Sequence, residues 1–140
     1  MERVLEVARQ EARFHALLVD PYPGSREGLR ASLEAEGCLV EAAADVPQGV
    51  ALMRTGSFDL AVIDLGLLPT RGIARSAWEL ARLFRDFNPT APLVLLAAEL
   101  RRELEAEAAC VCPVLLLEKP INPARLRAVV RQLRTESARG

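Results

Sequence analysis

The stretch that most constrains this chain is Leu60-Ala61-Val62-Ile63-Asp64, an apolar run closed by a single acid. A run this apolar is buried on both faces, the habit of a strand inside a parallel sheet covered by helices. A carboxylate at its carboxyl end faces the crevice in which open α/β sheets place their ligands. Asp20 closes an earlier run, Ala16 to Val19, and Lys119 closes the last, Val114 to Leu117. Ionisable groups at the same ends of three strands define a candidate site.

The rest of the chain alternates strand and helix patterns. Strand one is Phe14 to Val19, followed by the loop Asp20-Pro21-Tyr22-Pro23-Gly24, where prolines and a glycine forbid regular structure. Ser25 or Gly24 caps a helix to Glu36 with Leu29 and Leu33 inward, and Gly37 stops it. Cys38 to Ala42 is the second strand. Asp45 caps a helix with Pro47 in its first turn and Val46, Val50 and Met53 on its inner stripe. After strand three, Ile73, Ala77, Leu80, Phe84 and Phe87 predict a helix from Ile73 to Phe87, stopped by Asn88-Pro89. Leu93 to Leu96 is strand four, Glu99 to Ala109 a charged helix, and Val114 to Leu117 strand five. Asn122-Pro123 opens a last helix with Leu126, Val129, Val130 and Leu133 on one face.

Five strand–helix repeats with right-handed crossovers make an α/β parallel sheet with helices on both faces. Glu2 to Arg13 carries a thin apolar stripe, Leu5, Ala8 and Ala12, and reads as an extra helix. The expected organisation is an N-terminal helical extension over 1–13, one domain over 14–134 and a polar, flexible tail over 135–140.

Net charge is −1, which disfavours a nucleic-acid surface. No apolar run approaches a membrane span and no signal-peptide core is present, so a cytoplasmic protein without membrane partners is expected. Cys38, Cys110 and Cys112 are odd in number, and His15 is the only histidine. Buried or half-buried free thiols are expected rather than a disulfide framework or a zinc site. No glycine-rich phosphate loop follows strand one, which disfavours a nucleotide-binding or flavodoxin-like enzyme.

Leu18-Val19-Asp20, Asp59 to Asp64, Gly72, Pro92 to Leu96 and Glu118-Lys119-Pro120 stand in order at family-like spacing. Over Phe14 to Leu133 the chain resembles a response-regulator receiver domain of bacterial two-component signalling, whose sheet order is 2-1-3-4-5. The resemblance implies that Asp64 is the phosphoryl acceptor, that Lys119 contacts the phosphoryl oxygens, and that the Lys119–Pro120 bond is cis. It implies that Asp20 and Asp64 are the candidates for holding Mg²⁺, and that a histidine kinase or a downstream effector is the partner. At most, then, the chemistry is phosphoryl acceptance and loss at Asp64, not enzyme catalysis on a separate substrate.

The chain departs from the family at three positions. Pro21 replaces the second acid of the Mg²⁺ pair, Ala97 replaces the hydroxyl ending strand four, and Leu116 replaces the switch aromatic. Magnesium requires oxygen ligands, and phosphoryl transfer relies on cation charge. The expectation is a stand-alone, atypical receiver acting through protein–protein contacts, with weak Mg²⁺ binding and little switching. The rival is a receiver still phosphorylated on Asp64 with Mg²⁺. Trp78, off the inner stripe of its helix, is either an interface anchor or a stripe-edge packing residue. Arg127, Arg131 and Arg134 on the last helix, with Glu103 and Glu107 on the one before, are either solvated faces or the complementary halves of a homodimer contact.

Overall fold

The computed structural model describes residues 13–139. The expected helix over Glu2 to Arg13 therefore lies, but for Arg13, outside the described residues. The strands are β1 (Phe14–Val19), β2 (Cys38–Ala43), β3 (Leu60–Asp64), β4 (Leu93–Ala97) and β5 (Leu115–Glu118). The helices are α1 (Pro23–Ala35), α2 (Val46–Thr55), α3 (Ala77–Phe87), α4 (Arg102–Ala108) and α5 (Pro123–Arg139), with a 3-10 turn at Ala109–Val111 after α4. All strand pairs are parallel, in the order β2-β1-β3-β4-β5. This is the flavodoxin-like arrangement expected.

Alternation along the central strands builds two cores from one sheet, because successive strand residues point to opposite faces. Leu17, Val19, Ala61, Ile63, Leu93 and Leu95 pack with Val46 and Met53 of α2 and Leu80 and Phe84 of α3. Ala16, Leu18, Leu60, Val62, Val94 and Leu96 pack on the other face with Leu29 and Leu33 of α1 and Leu126, Val130 and Leu133 of α5. Every residue of β3 and β4 is buried.

Helix ends follow local chemistry. Asp45 Oδ1 accepts from Gln48 N at 2.8 Å at the start of α2. Asn122 Oδ1 accepts from Ala124 N at 2.9 Å at the start of α5. Asp45→Ala is expected to lower stability by about 1 kcal/mol and Asp45→Asn by much less, because only the first removes the acceptor for a helix-end N–H. Urea denaturation of both variants checks this.

Several boundaries differ from expectation. Helix α1 starts at Pro23, with Tyr22 as its N-cap, because proline suits the first helical position and Ser25 is engaged elsewhere. Helix α3 starts at Ala77, not Ile73. Ser76 caps it by accepting from Glu79 N at 3.3 Å, and Glu79 Oε2 accepts from Arg75 N at 2.6 Å. Ile73 and Phe87, expected on the inner stripe, are 61% and 53% exposed. Helix α4 is shorter than expected, and its last turn tightens into the 3-10 segment. Helix α5 continues to Arg139 through residues expected in a polar tail. Trp78 is half-buried against the α2–α3 core.

The three thiols are free. Cys38 is buried as expected, and burial pushes its thiol up to about 11. Cys110, in the 3-10 turn, and Cys112, just after it, are exposed, against expectation, because this stretch lies outside the sheet.

Candidate functional site

In the order 2-1-3-4-5 the chain leaves β1 in one direction to β2 and returns to its other side at β3. The crevice of such a sheet lies at the carboxyl ends of the strands flanking that reversal. Asp20 directly follows β1 and Asp64 ends β3. Both are fixed as continuations of the strand ladders. Asp20 N donates to Ala43 O at 3.1 Å, and Leu65 N donates to Leu96 O at 2.8 Å. Lys119 follows β5, with its backbone N–H donating to Ala97 O at 2.8 Å. Its bond to Pro120 is cis, as the resemblance implied.

The three expected groups meet. Lys119 Nζ lies 2.8 Å from Asp20 Oδ2 and forms a close ion pair with Asp64 Oδ2. Asp20 is fully buried and Asp64 is 2% exposed. Buried carboxylates need charge or hydrogen bonds to offset their lost hydration. Asp20 has several: Tyr22 N donates to Oδ1 at 2.9 Å and Ser25 Oγ donates to Oδ2 at 2.6 Å. Asp64 Oδ1 accepts from Gly66 N at 2.7 Å, while Oδ2 relies on the Lys119 ammonium. Burial pulls the Lys119 pKa down, but hydrogen bonds to Asp20 and Asp64 and their charges outweigh it, so it stands above the ordinary lysine value. One ammonium thus serves two buried carboxylates.

The positions of departure are equally plain. Pro21 offers no side-chain ligand beside Asp20. Ala97 ends β4 with a methyl group, and Leu116 is half-buried against the α2–α3 core. The loop after β4 has a different tether, since Leu100 N donates to Glu118 Oε1 at 2.9 Å. Asp59, just before β3, accepts from His15 N at 2.9 Å and serves the strand pairing, not the site.

The α5 arginines, expected either as a solvated face or as half of a homodimer contact, have a partner within the chain. Arg127 and Arg131 pair with Glu36 at the end of α1, at 3.2 and 2.7 Å, and Arg134 donates to the Glu36 carbonyl. The Arg131 guanidinium, with Arg127, holds the Glu36 carboxyl below its ordinary range against the opposing effect of burial. These arginines clamp α5 to α1 within the chain, whereas Glu103 and Glu107 are exposed on α4. The regular arginine spacing was visible in the sequence, but the distant partner was not.

A cavity of about 930 Å³ lies near Phe58, Arg85, Pro92 and Leu133 and contains none of the three site groups. A cleft of about 500 Å³ adjoins the site, lined by Tyr22, Ser25, Leu29, Lys119, Ile121 and Leu126 among others.

The response regulator receiver domain family model matches residues 16–131. The chain belongs to this family. Receiver domains act in two-component signalling and usually bind Mg²⁺ at the phosphorylation site. A receiver domain protein (CheY-like) from Methanospirillum hungatei JF-1 is 23% identical, with a TM-score of 0.79, covering 92% of this chain and all of that one. Chemotaxis response regulator CheY4 of Vibrio cholerae is 24% identical, with a TM-score of 0.76, covering 87% of this chain and 99% of that one. A two-component response regulator from Clostridium difficile is 20% identical, with a TM-score of 0.78, covering 89% and 98%. At these identities the structures establish the common fold. A search of characterised protein sequences gives no match.

For Mg²⁺, this receiver presents a thin donor set. Among the described residues no cluster of three or more His, Cys, Asp or Glu side chains could hold a metal ion. Asp20 and Asp64 are the available carboxylates, and both already contact Lys119. A near-octahedral Mg²⁺ would have to draw most of its ligands from water or a phosphoryl group. Among the described residues no helix is long and apolar enough to cross a membrane.

Proposed function

We propose that this receiver is an interaction module that presents a fixed surface to a signalling protein, with weak Mg²⁺ binding and little response to phosphorylation. The carrying observation is the Lys119 ammonium bridging Asp20 and Asp64 while proline stands where a second acid would be. The cation that the pocket needs is supplied largely by a side chain. A ligand shifts a conformational equilibrium only through unequal interaction with its two states. Ala97 has no hydroxyl to follow a phosphoryl group, and Leu116 has no polar ring tip to change partners. The Leu100–Glu118 hydrogen bond holds the loop after β4 without any phosphoryl group. The exposed α4 face, with Glu103 and Glu107, is the surface we assign to a kinase, an effector or a second copy of the chain. Arg127, Arg131 and Arg134 are left out of it because they are committed to Glu36.

One observation favours a second reading, a phosphorylated switch. The acceptor Asp64, the acid Asp20 and the lysine retain a compact arrangement. Incubation with acetyl phosphate and Mg²⁺ followed by intact-mass measurement separates the two. Little or no phosphoryl addition is expected, and partner binding should survive Asp64→Asn. Stoichiometric addition abolished by Asp64→Asn, with partner binding that requires the phosphodonor, would establish the switch instead.

A further inference from the structure

The Tyr22 backbone N–H helps hold Asp20, but its ring makes none of the hydrogen bonds described above, and it stands at the mouth of the pocket. Its ring centroid lies 5.0 Å from Lys119 Nζ, within cation–π range. Its other end lies at Gly66. A Cβ built on Gly66 would stand 3.3 Å from the Tyr22 hydroxyl and 2.9 Å from Asp64 Oδ1. The ring therefore spans from the lysine to the glycine, the two residues that hold the Asp64 carboxylate. Tyr22 itself is 55% exposed, whereas Asp64 behind it is 2% exposed.

The backbone under this ring has little freedom. Pro21 precedes Tyr22 and Pro23 follows it. A residue before proline is pushed to extended conformations, and Tyr22 has φ −95° and ψ 116°. Its N–H is held by Asp20 Oδ1, and its carbonyl accepts from Arg26 N at 2.8 Å. With the main chain anchored on both sides, the movement left is rotation of the side chain, which exposed residues make quickly.

The geometry points to Tyr22 as a gate: its ring, swinging about a fixed backbone, controls entry of small solutes to the Asp20–Lys119–Asp64 cluster. A cation or a small phosphodonor reaches Asp64 only when the ring has moved away from Gly66 and Lys119. This deepens the reading of the pocket given above, but its test needs neither metal nor phosphoryl group.

Lys119 is the only lysine in the chain, so it is the only side-chain amine and reports access to the cluster directly. The full chain is acylated with an N-hydroxysuccinimide ester across a pH series, and labelling of Lys119 is followed by mass spectrometry against the N-terminal amine. The series separates proton loss, which moves the midpoint, from access, which sets the limiting rate. A gate open about a tenth of the time slows entry about tenfold. Tyr22→Ala and Tyr22→Ser should each raise the limiting rate by about that factor. Tyr22→Phe, which keeps the ring, should match the wild type. In the wild type, reductive methylation with formaldehyde should be retarded less than acylation, relative to a free lysine, because the smaller reagent needs less opening. An unchanged limiting rate in Tyr22→Ala and Tyr22→Ser, or a Tyr22→Phe variant as fast as Tyr22→Ala, overturns the gate. A shifted midpoint with an unchanged limit overturns it too, since that marks a purely electrostatic role. Equal retardation of the two reagents in the wild type overturns it without any variant.

Discussion

Lys119→Met should lose about 3–5 kcal/mol of stability at neutral pH, because it leaves buried carboxylates without their counter-charge. Asp20 keeps its bonds from Tyr22 N and Ser25 Oγ, whereas Asp64 Oδ2 loses its ammonium partner. Two like charges then share a site closed to water, and one carboxyl takes up a proton more readily than before. The deficit should therefore narrow as the pH falls. The alkaline side carries the opposite signature. The folded state holds the Lys119 pKa above its ordinary value, so its contribution is complete below the unfolded value, about 10.4, and fades as pH rises through the folded one. Wild-type stability should fall there, and the methionine variant should lack that component. Denaturant titrations across pH on both proteins measure it. Curves that run parallel at every pH would show that the three groups do not act as one cluster.

Phe84→Ala should cost a similar amount, about 3–5 kcal/mol, by a different route. Phe84 is fully buried on the inner face of α3, in the cluster that contains Phe58, Leu93 and Val111. Its carbonyl accepts from Asn88 N at 2.8 Å, and Asn88 Oδ1 in turn accepts from Phe58 N at 3.0 Å. Deleting the ring opens a cavity beside a corner where a buried asparagine ties the end of α3 to the entry of β3. The melting temperature should drop by roughly 10 °C. Phe84→Leu should recover most of that loss, because it refills much of the volume. Calorimetry checks both, and the loss should show little of the pH dependence expected for Lys119→Met.

How far the sequence could be read depended on the range of each interaction. Runs such as Leu60 to Ile63 and Leu93 to Leu96 announce strands buried on both faces, and the residues closing them are located by counting. Asp20, Asp64 and Lys119 are therefore legible as a group in the sequence alone. The start of α3 was legible too, in Ser76 with Glu79 three positions on, but the apolar residue Ile73 outweighed that signal. Apolar character alone does not assign a residue to the core, and much of a folded surface is apolar. The partner of the α5 arginines was not legible. Glu36 lies far away in sequence, and no local pattern ties it to Arg131. The place of the Tyr22 ring is not legible either, because its neighbours Pro21 and Pro23 mark only a loop, although the same prolines restrict its backbone.

The two-core sheet has a consequence for how the position of Asp64 is specified. Leu60, Val62 and Asp64 share one parity along β3, while Ala61 and Ile63 share the other. A shift of β3 by one residue would exchange its contributions to both cores at once and turn every side chain to the wrong face. The acid's placement is thus encoded redundantly. Each apolar side chain of β3 independently rejects the misaligned register, so the site inherits its precision from packing rather than from contacts of its own. Substitutions around the pocket can then accumulate without displacing the carboxylate, and a receiver can lose a metal-binding acid at position 21 and read-out residues at positions 97 and 116 while Asp64 stays where the strand delivers it.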